Sequence, residues 1–278
     1  MKDSLKLKMI IIIITIIVTV LMLYPLYQVV ILSIKPSIEI RMYITLLERH
    51  TTHFIPTYFI PRVFSSEQFR NGINALFLRA FFVSLIYTIT ITVMQFVVSF
   101  VMGFVFAKTR FKGRDIFFFL YIMAMVLPFH VTLVPLNQIL HQLNLFNTPW
   151  AVLLPAIFSP LGVFLMRQFI SRIPDELLEA ATIDGAGLLR VFTSIIMPTI
   201  RNGIVAFLLF TTTMQWGAFE NSMAFVRDEK WHPMALLLRA LMNIDNALIF
   251  APSVLYVLPM ILIFAVLVRF FVHDSLCD

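Results

Sequence analysis

The chain has 278 residues, of which 60% are apolar and 13% charged, and its mean hydropathy is +0.93. A water-soluble domain of this length does not carry so much apolar surface, so composition excludes a soluble fold and points to lipid. The net charge of +6 follows from the placement of Lys and Arg around apolar runs and gives no reason to invoke nucleic acid.

A hydrocarbon core about 30 Å thick is crossed by about 20 apolar helical residues. Six charge-poor runs approach that length, near residues 9–34, 81–107, 116–140, 150–166, 202–219 and 248–268. The first opens with an Ile-rich block that is β-prone in water. In lipid a spanning segment satisfies its backbone only as a helix or within a closed barrel, so a helix is expected. This run is too long and too apolar for a cleaved signal and is expected to be a retained anchor.

Residues 35–79 are expected to form an outer loop containing Pro36, Pro56 and Pro61. His50 and His53 are three apart there, but no third ligand stands nearby, so no metal is expected.

The third run carries His130 between Pro128 and Pro135, which kink a helix or release its carbonyls. His130 then either bonds a freed carbonyl or lines a pathway. Asn137 and Gln138 follow at the outer end, and Gln215 and Trp216 lie late in the fifth run. Amides beside aromatic faces suit a sugar, whose hydroxyls need donors and acceptors while its C–H face is apolar. Interhelical hydrogen bonding and interfacial anchoring are the competing roles. No Asp, Glu, Lys or Arg stands in the central part of any run, which disfavours an ion-coupled carrier and fits a neutral solute.

Residues 220–247 form a second expected outer segment. Lys2, Lys6, Lys8, Lys108, Arg110, Lys112, Arg114, Arg167, Arg172, Arg190, Arg201 and Arg269 fall on one side if both termini are cytoplasmic, which is the favoured orientation. It puts residues 171–200 in the cytoplasm. Cys277 is the single cysteine and permits no intrachain disulfide.

The segment between the fourth and fifth runs is a short polar, amphipathic stretch set between two apolar ones. Pro174 suits a first helical position, and Asp175 and Glu176 complement the positive end of the helix dipole. The helix is expected to run through Glu179, Ala180 and Ala181 to Gly185, which tolerates the left-handed conformation that ends helices. A second short helix over residues 188–196 is expected to stop at Pro198. Leu177, Leu178, Leu188, Leu189, Val191 and Phe192 offer apolar knobs for a helix-in-groove contact.

Glu179-Ala180-Ala181, then Gly185 after three intervening residues, then Ile195 and Pro198 with Met197 in place of a Leu, resemble the EAA loop of permease subunits in ATP-binding-cassette importers. Residues 173–186 are most similar to the carbohydrate-uptake branch. The resemblance implies an all-α, polytopic membrane helix bundle. It makes residues 1–278 a single transmembrane permease domain of six helices with a coupling-helix elbow at about 171–200.

It assigns ATPase coupling to Glu179, Ala180, Ala181, Asp184, Gly185, Ile195 and Pro198, and leaves His130, Asn137, Gln138, Gln215 and Trp216 as candidate pathway-lining residues. It also implies a second homologous permease, two ATPase subunits and an extracytoplasmic solute-binding protein; the two outer segments are either solvated loops that join helices or part of a landing surface for that protein. A sugar would be the cargo and a bacterial or archaeal plasma membrane the location. No G-x-x-x-x-G-K-[ST] phosphate loop occurs, so ATP hydrolysis is expected on a partner chain and no cofactor on this one. The family commonly has Asn after the Trp where this chain has Gly217, which weakens any reading of the particular sugar. The alternatives are an importer for a phosphorylated polyol, which calls for Arg or Lys on the pathway, and a docking subunit that transports nothing.

Overall fold

The computed structural model describes residues 2–48, 61 and 63–275, and among them every regular element is helical. That is the arrangement in which a backbone in lipid bonds to itself. Three stretches, Lys8–Ser33, Ala75–Lys108 and Trp150–Ile170, are long and apolar enough to cross a membrane, and two sharply bent helix pairs bring the number to five if each is one span. The last expected run falls on a 26-residue helix, Phe250–Ser275, whose stretch Phe250–Val266 is apolar but short of a full span. His50, His53, Pro56 and Cys277 lie outside the described residues.

The chain divides into two compact units. One comprises Met1–Arg79 and Leu237–Pro259. It opens with α1 (Lys2–Ser33), whose side chains from Lys8 to Tyr27 are all exposed on the chain, as suits a helix surrounded by lipid.

The expected outer loop contains two helices, α2 (Ser37–Glu48) and α3 (Glu67–Gly72). Buried Gln68 fastens α3 to the end of α1, donating from Nε2 to the carbonyls of Leu32 (2.6 Å) and Lys35 (2.8 Å). These satisfy backbone oxygens that a helix C-terminus leaves free. The Ser37 hydroxyl donates to the Glu67 carboxylate, and this bond, with that from the Ser37 N–H, holds the Glu67 carboxyl below its ordinary value. Arg41 Nη2 meets Asp245 Oδ2 at 2.5 Å.

The other unit comprises Ala80–Leu236 and Met260–Asp278. Its longest helical stretch is Ala80–Lys108, the greater part of α4 (Ala75–Lys108), which starts six residues before the expected run at 81. The third run is not one helix. It is α5 (Arg114–Met123), a 3-10 turn (Ala124–Val126) and α6 (Phe129–Gln142), bent by 104° at the break. The cause is Pro128, whose ring forces the preceding Leu127 into an extended conformation (φ −67°, ψ 122°). Pro135 stays inside α6.

The fourth run is α7 (Trp150–Ile157) and α8 (Pro160–Ile170), with Ser159 capping α8 through the Gly162 N–H (3.1 Å). Small residues let helices approach closely in lipid, where packing replaces the hydrophobic drive. Gly103 of α4 faces Met166 of α8, and Gly162 faces Ser99 of α4.

Candidate functional site

The polar segment forms an elbow. Its first limb is α9 (Asp175–Ile183), which starts directly after Pro174 with Asp175 and Glu176 in its first turn. The limb ends at Gly185, φ +74°. Ala186 N–H bonds the Ala181 carbonyl (2.9 Å) and Gly185 N–H bonds that of Thr182 (3.1 Å). This pair is the Schellman arrangement, which closes a helix when the following residue is left-handed.

The second limb is α10 (Leu188–Val191), a π-helical turn (Phe192–Ile196) and α11 (Met197–Thr199). Pro198 does not stop this limb as expected. It lies inside the continuous helical run Leu188–Thr199, and the chain turns two residues later, at Ile200, into α12 (Arg201–Gly217), 84° away.

The inner face of the elbow is apolar and joined to the unit's main cluster. Ile173, Ala181, Val191 and Ile196 are buried with Phe100, Met166, Ile170, Ile200 and Phe207, and Leu178, Ala186, Phe192, Ile195 and Met197 pack against them. The end of α4 clips the first limb in place. Lys108 donates from Nζ to the Ile173 carbonyl and to Asp175 Oδ1, the latter at 2.6 Å. That hydrogen bond and the charge of Lys108 hold the Asp175 carboxyl below its ordinary value.

The outer face carries exposed Glu179, Ala180, Asp184, Gly185 and Pro198. Of the expected apolar knobs, Leu177, Leu188 and Leu189 are exposed, whereas Val191, Phe192 and Leu178 turn into the chain's own core. Ile183, which is not among the expected knobs, is 86% exposed. It follows Glu179 by four residues and therefore shares its face, a spacing legible in the sequence.

The expected pathway residues divide into two groups. His130 and Gln138 are exposed and Asn137 half-buried on α6. Half-buried Gln215 and buried Trp216 instead line a cavity with Ser84 and Tyr87 of α4, and the Trp216 ring meets Phe81 edge-on at 5.8 Å. Among the described residues no group of three or more His, Cys, Asp or Glu is arranged to hold a metal ion.

An apolar chain, helical throughout its described elements, with a polar elbow folded onto the end of a long helix, has the make-up of an integral membrane protein. Residues 97–273 match the family model described as binding-protein-dependent transport system inner membrane component, and the chain belongs to that family.

Among curated relatives it is 29% identical over 255 residues to the arabinooligosaccharides transport system permease protein AraQ of Halalkalibacterium halodurans, covering 90% of this chain and 88% of that one. It is 29% identical over 195 residues to the sn-glycerol-3-phosphate transport system permease protein UgpE of Yersinia pestis, covering 68% and 69%. Its fold matches a chain from the crystal structure of a bacterial ABC transporter involved in the import of the acidic polysaccharide alginate. The TM-score is 0.83 at 17% identity, with 98% of each chain covered.

Proposed function

We propose that this chain is a single permease domain forming half of an alternating-access pathway, in an importer driven by separate ATPase subunits and loaded by an extracytoplasmic binding protein. The observation that carries this reading is the elbow. Its inner face is packed into the membrane unit while Glu179, Ile183 and Leu189 lie exposed on the outside. An exposed apolar patch rimmed by polar groups suits a partner surface. Movement of that partner would be transmitted to α4 and α12, the helices attached to the elbow.

The cargo in this reading is a neutral sugar or oligosaccharide. Its support is the likeness to AraQ and the lack of charged residues in the centres of the apolar runs. In the orientation favoured by the Lys and Arg distribution, both termini and the elbow are cytoplasmic, and the helix Phe250–Ser275 supplies the sixth span.

A second homologous permease completes the pathway. Purification of the tagged chain from its native membrane, followed by mass spectrometry, tests the assembly. The expected companions are an ATPase with a phosphate loop and a second polytopic permease. Recovery of the chain alone under the mildest extraction would contradict the reading.

A further inference from the structure

One buried face of α4 is polar. Ser84, Thr88, Thr92, Gln95 and Ser99 succeed one another at steps of three or four, which places them within an arc of about 80° on a helix of 3.6 residues per turn. All five are buried, Thr88 at 3% exposure, Thr92 at 7% and Gln95 at 6%. Thr88 Oγ1, Thr92 Oγ1, Gln95 Oε1 and Ser99 Oγ have no hydrogen-bond partner among the described residues. A polar atom sealed away without a partner costs roughly 1–3 kcal/mol. Four on one face argue against a dry seam.

At the outer end of this face lies a cavity of about 30 Å³. Its walls are Ser84, Tyr87 and Ile91 of α4, Val152 and Ala156 of α7, Gln215 and Trp216 of α12, and the segment 218–222. Asn221 and Ser222 line it, and their side-chain oxygens Oδ1 and Oγ lack a partner among the described residues. Ser222 is 1% exposed. Ser84 Oγ accepts the Met234 N–H at 2.7 Å. A water molecule needs roughly 10–15 Å³ and two to four polar neighbours. The cavity offers both, and it is too small for a sugar ring.

We propose that this cavity is an internal hydration site of one or two water molecules, held by Asn221, Ser222, Gln215 and Ser84, the one member of the polar face of α4 that lines it. Ser99 lies beyond it, against Gly162, where even a Cβ would overlap the hydroxyl. Water bridges between α4 and the segment 218–222 exchange partners at little cost, so the contact can be remade when α4 shifts. The inference stands on burial and cavity geometry, and does not depend on the cargo or on the elbow.

X-ray radiolytic labelling of the full chain in native membranes, read by mass spectrometry, tests it, because radicals form from bound water where it sits. Tyr87 and Trp216, 5% and 4% exposed, are expected to be oxidised, while Met166, 0% exposed in the apolar cluster, stays unmodified despite its reactive sulfur. Asn221→Leu combined with Ser222→Ala is expected to lower labelling of Tyr87 and Trp216 severalfold. Absence of labelling at both residues in the parent chain would overturn the proposal. So would labelling that extends equally to Met166, or that is unchanged in the double variant.

Discussion

The ring of Phe192 stands edge-on to Phe104 of α4, with centroids 4.8 Å apart and planes at 72°. A second contact, to Phe100 at 5.2 Å and 88°, completes an aromatic clamp. Phe192 opens the π-helical turn of the elbow's second limb, and Lys108 at the end of the same α4 holds the first limb. One helix therefore grips both limbs.

Phe192→Ala removes two aromatic pairs, each worth about 0.5–1.5 kcal/mol beyond burial, and leaves a void at the joint. The expected result is a lower thermal midpoint for the purified chain, with Phe192→Leu recovering part of the loss because it refills the volume. Equal midpoints for parent and Phe192→Ala would show that the clamp holds nothing.

The Lys108–Asp175 contact makes a pH prediction. Asp175 is depressed in the folded chain from an ordinary value of 3.8. Its contribution to stability is thus present above 3.8 and is lost as pH falls through the lower folded value. Asp175→Asn is expected to melt earlier than the parent at neutral pH, with the gap closing on acidification below 3.8. Melting curves of both proteins across that range provide the check.

Glycine substitutions separate backbone conformation from crowding. At Gly185 no atom lies within 4 Å of the position a Cβ would take, so Gly185→Ala meets only the φ of +74°, a cost of roughly 1–2 kcal/mol. Gly185→Asn is expected to cost less, since Asn tolerates the left-handed region. At Gly203 an added Cβ would come within 2.6–2.8 Å of three Phe169 ring atoms, so Gly203→Ala is expected to destabilise by overpacking, about 1–3 kcal/mol. Gly187→Ala, with neither problem, serves as the control in the same melting series.

The parts legible in the sequence are those set by local chemistry. Pro174 and Gly185 bound the first limb because Pro has a fixed φ and no N–H to leave unbonded at a helix start, while Gly takes the left-handed conformation without a Cβ penalty. The apolar runs reappear as apolar helices because lipid leaves the backbone no other partner. The break at Leu127 is not legible, since Pro128 and Pro135 look alike in sequence and the outcome depends on which helix turn can do without its hydrogen bond. The π-helical turn at Phe192–Ile196 has no residue signature, and the contacts of its first ring with Phe100 and Phe104 join residues far apart in the chain. The helices within the expected outer loop are obscured by its prolines, which punctuate the segment more strongly than the short amphipathic pattern of Ser37–Glu48. The polar face of α4, by contrast, is visible in the sequence alone as steps of three and four.

Ile183 supplies a docking prediction. Burial of an exposed Ile is worth about 1.5–3 kcal/mol, so Ile183→Asp is expected to weaken retention of the ATPase subunit by roughly tenfold or more. Ile183 is 86% exposed, so the chain's own melting temperature should not change. Co-purification yield against melting temperature separates the two effects.

The most direct test of the elbow as the coupling element is simultaneous measurement of ATP hydrolysis and solute uptake by the reconstituted importer carrying Glu179→Ala. The account predicts an inserted, assembled complex in which hydrolysis persists while uptake per ATP collapses. An unchanged ratio of uptake to hydrolysis would contradict it.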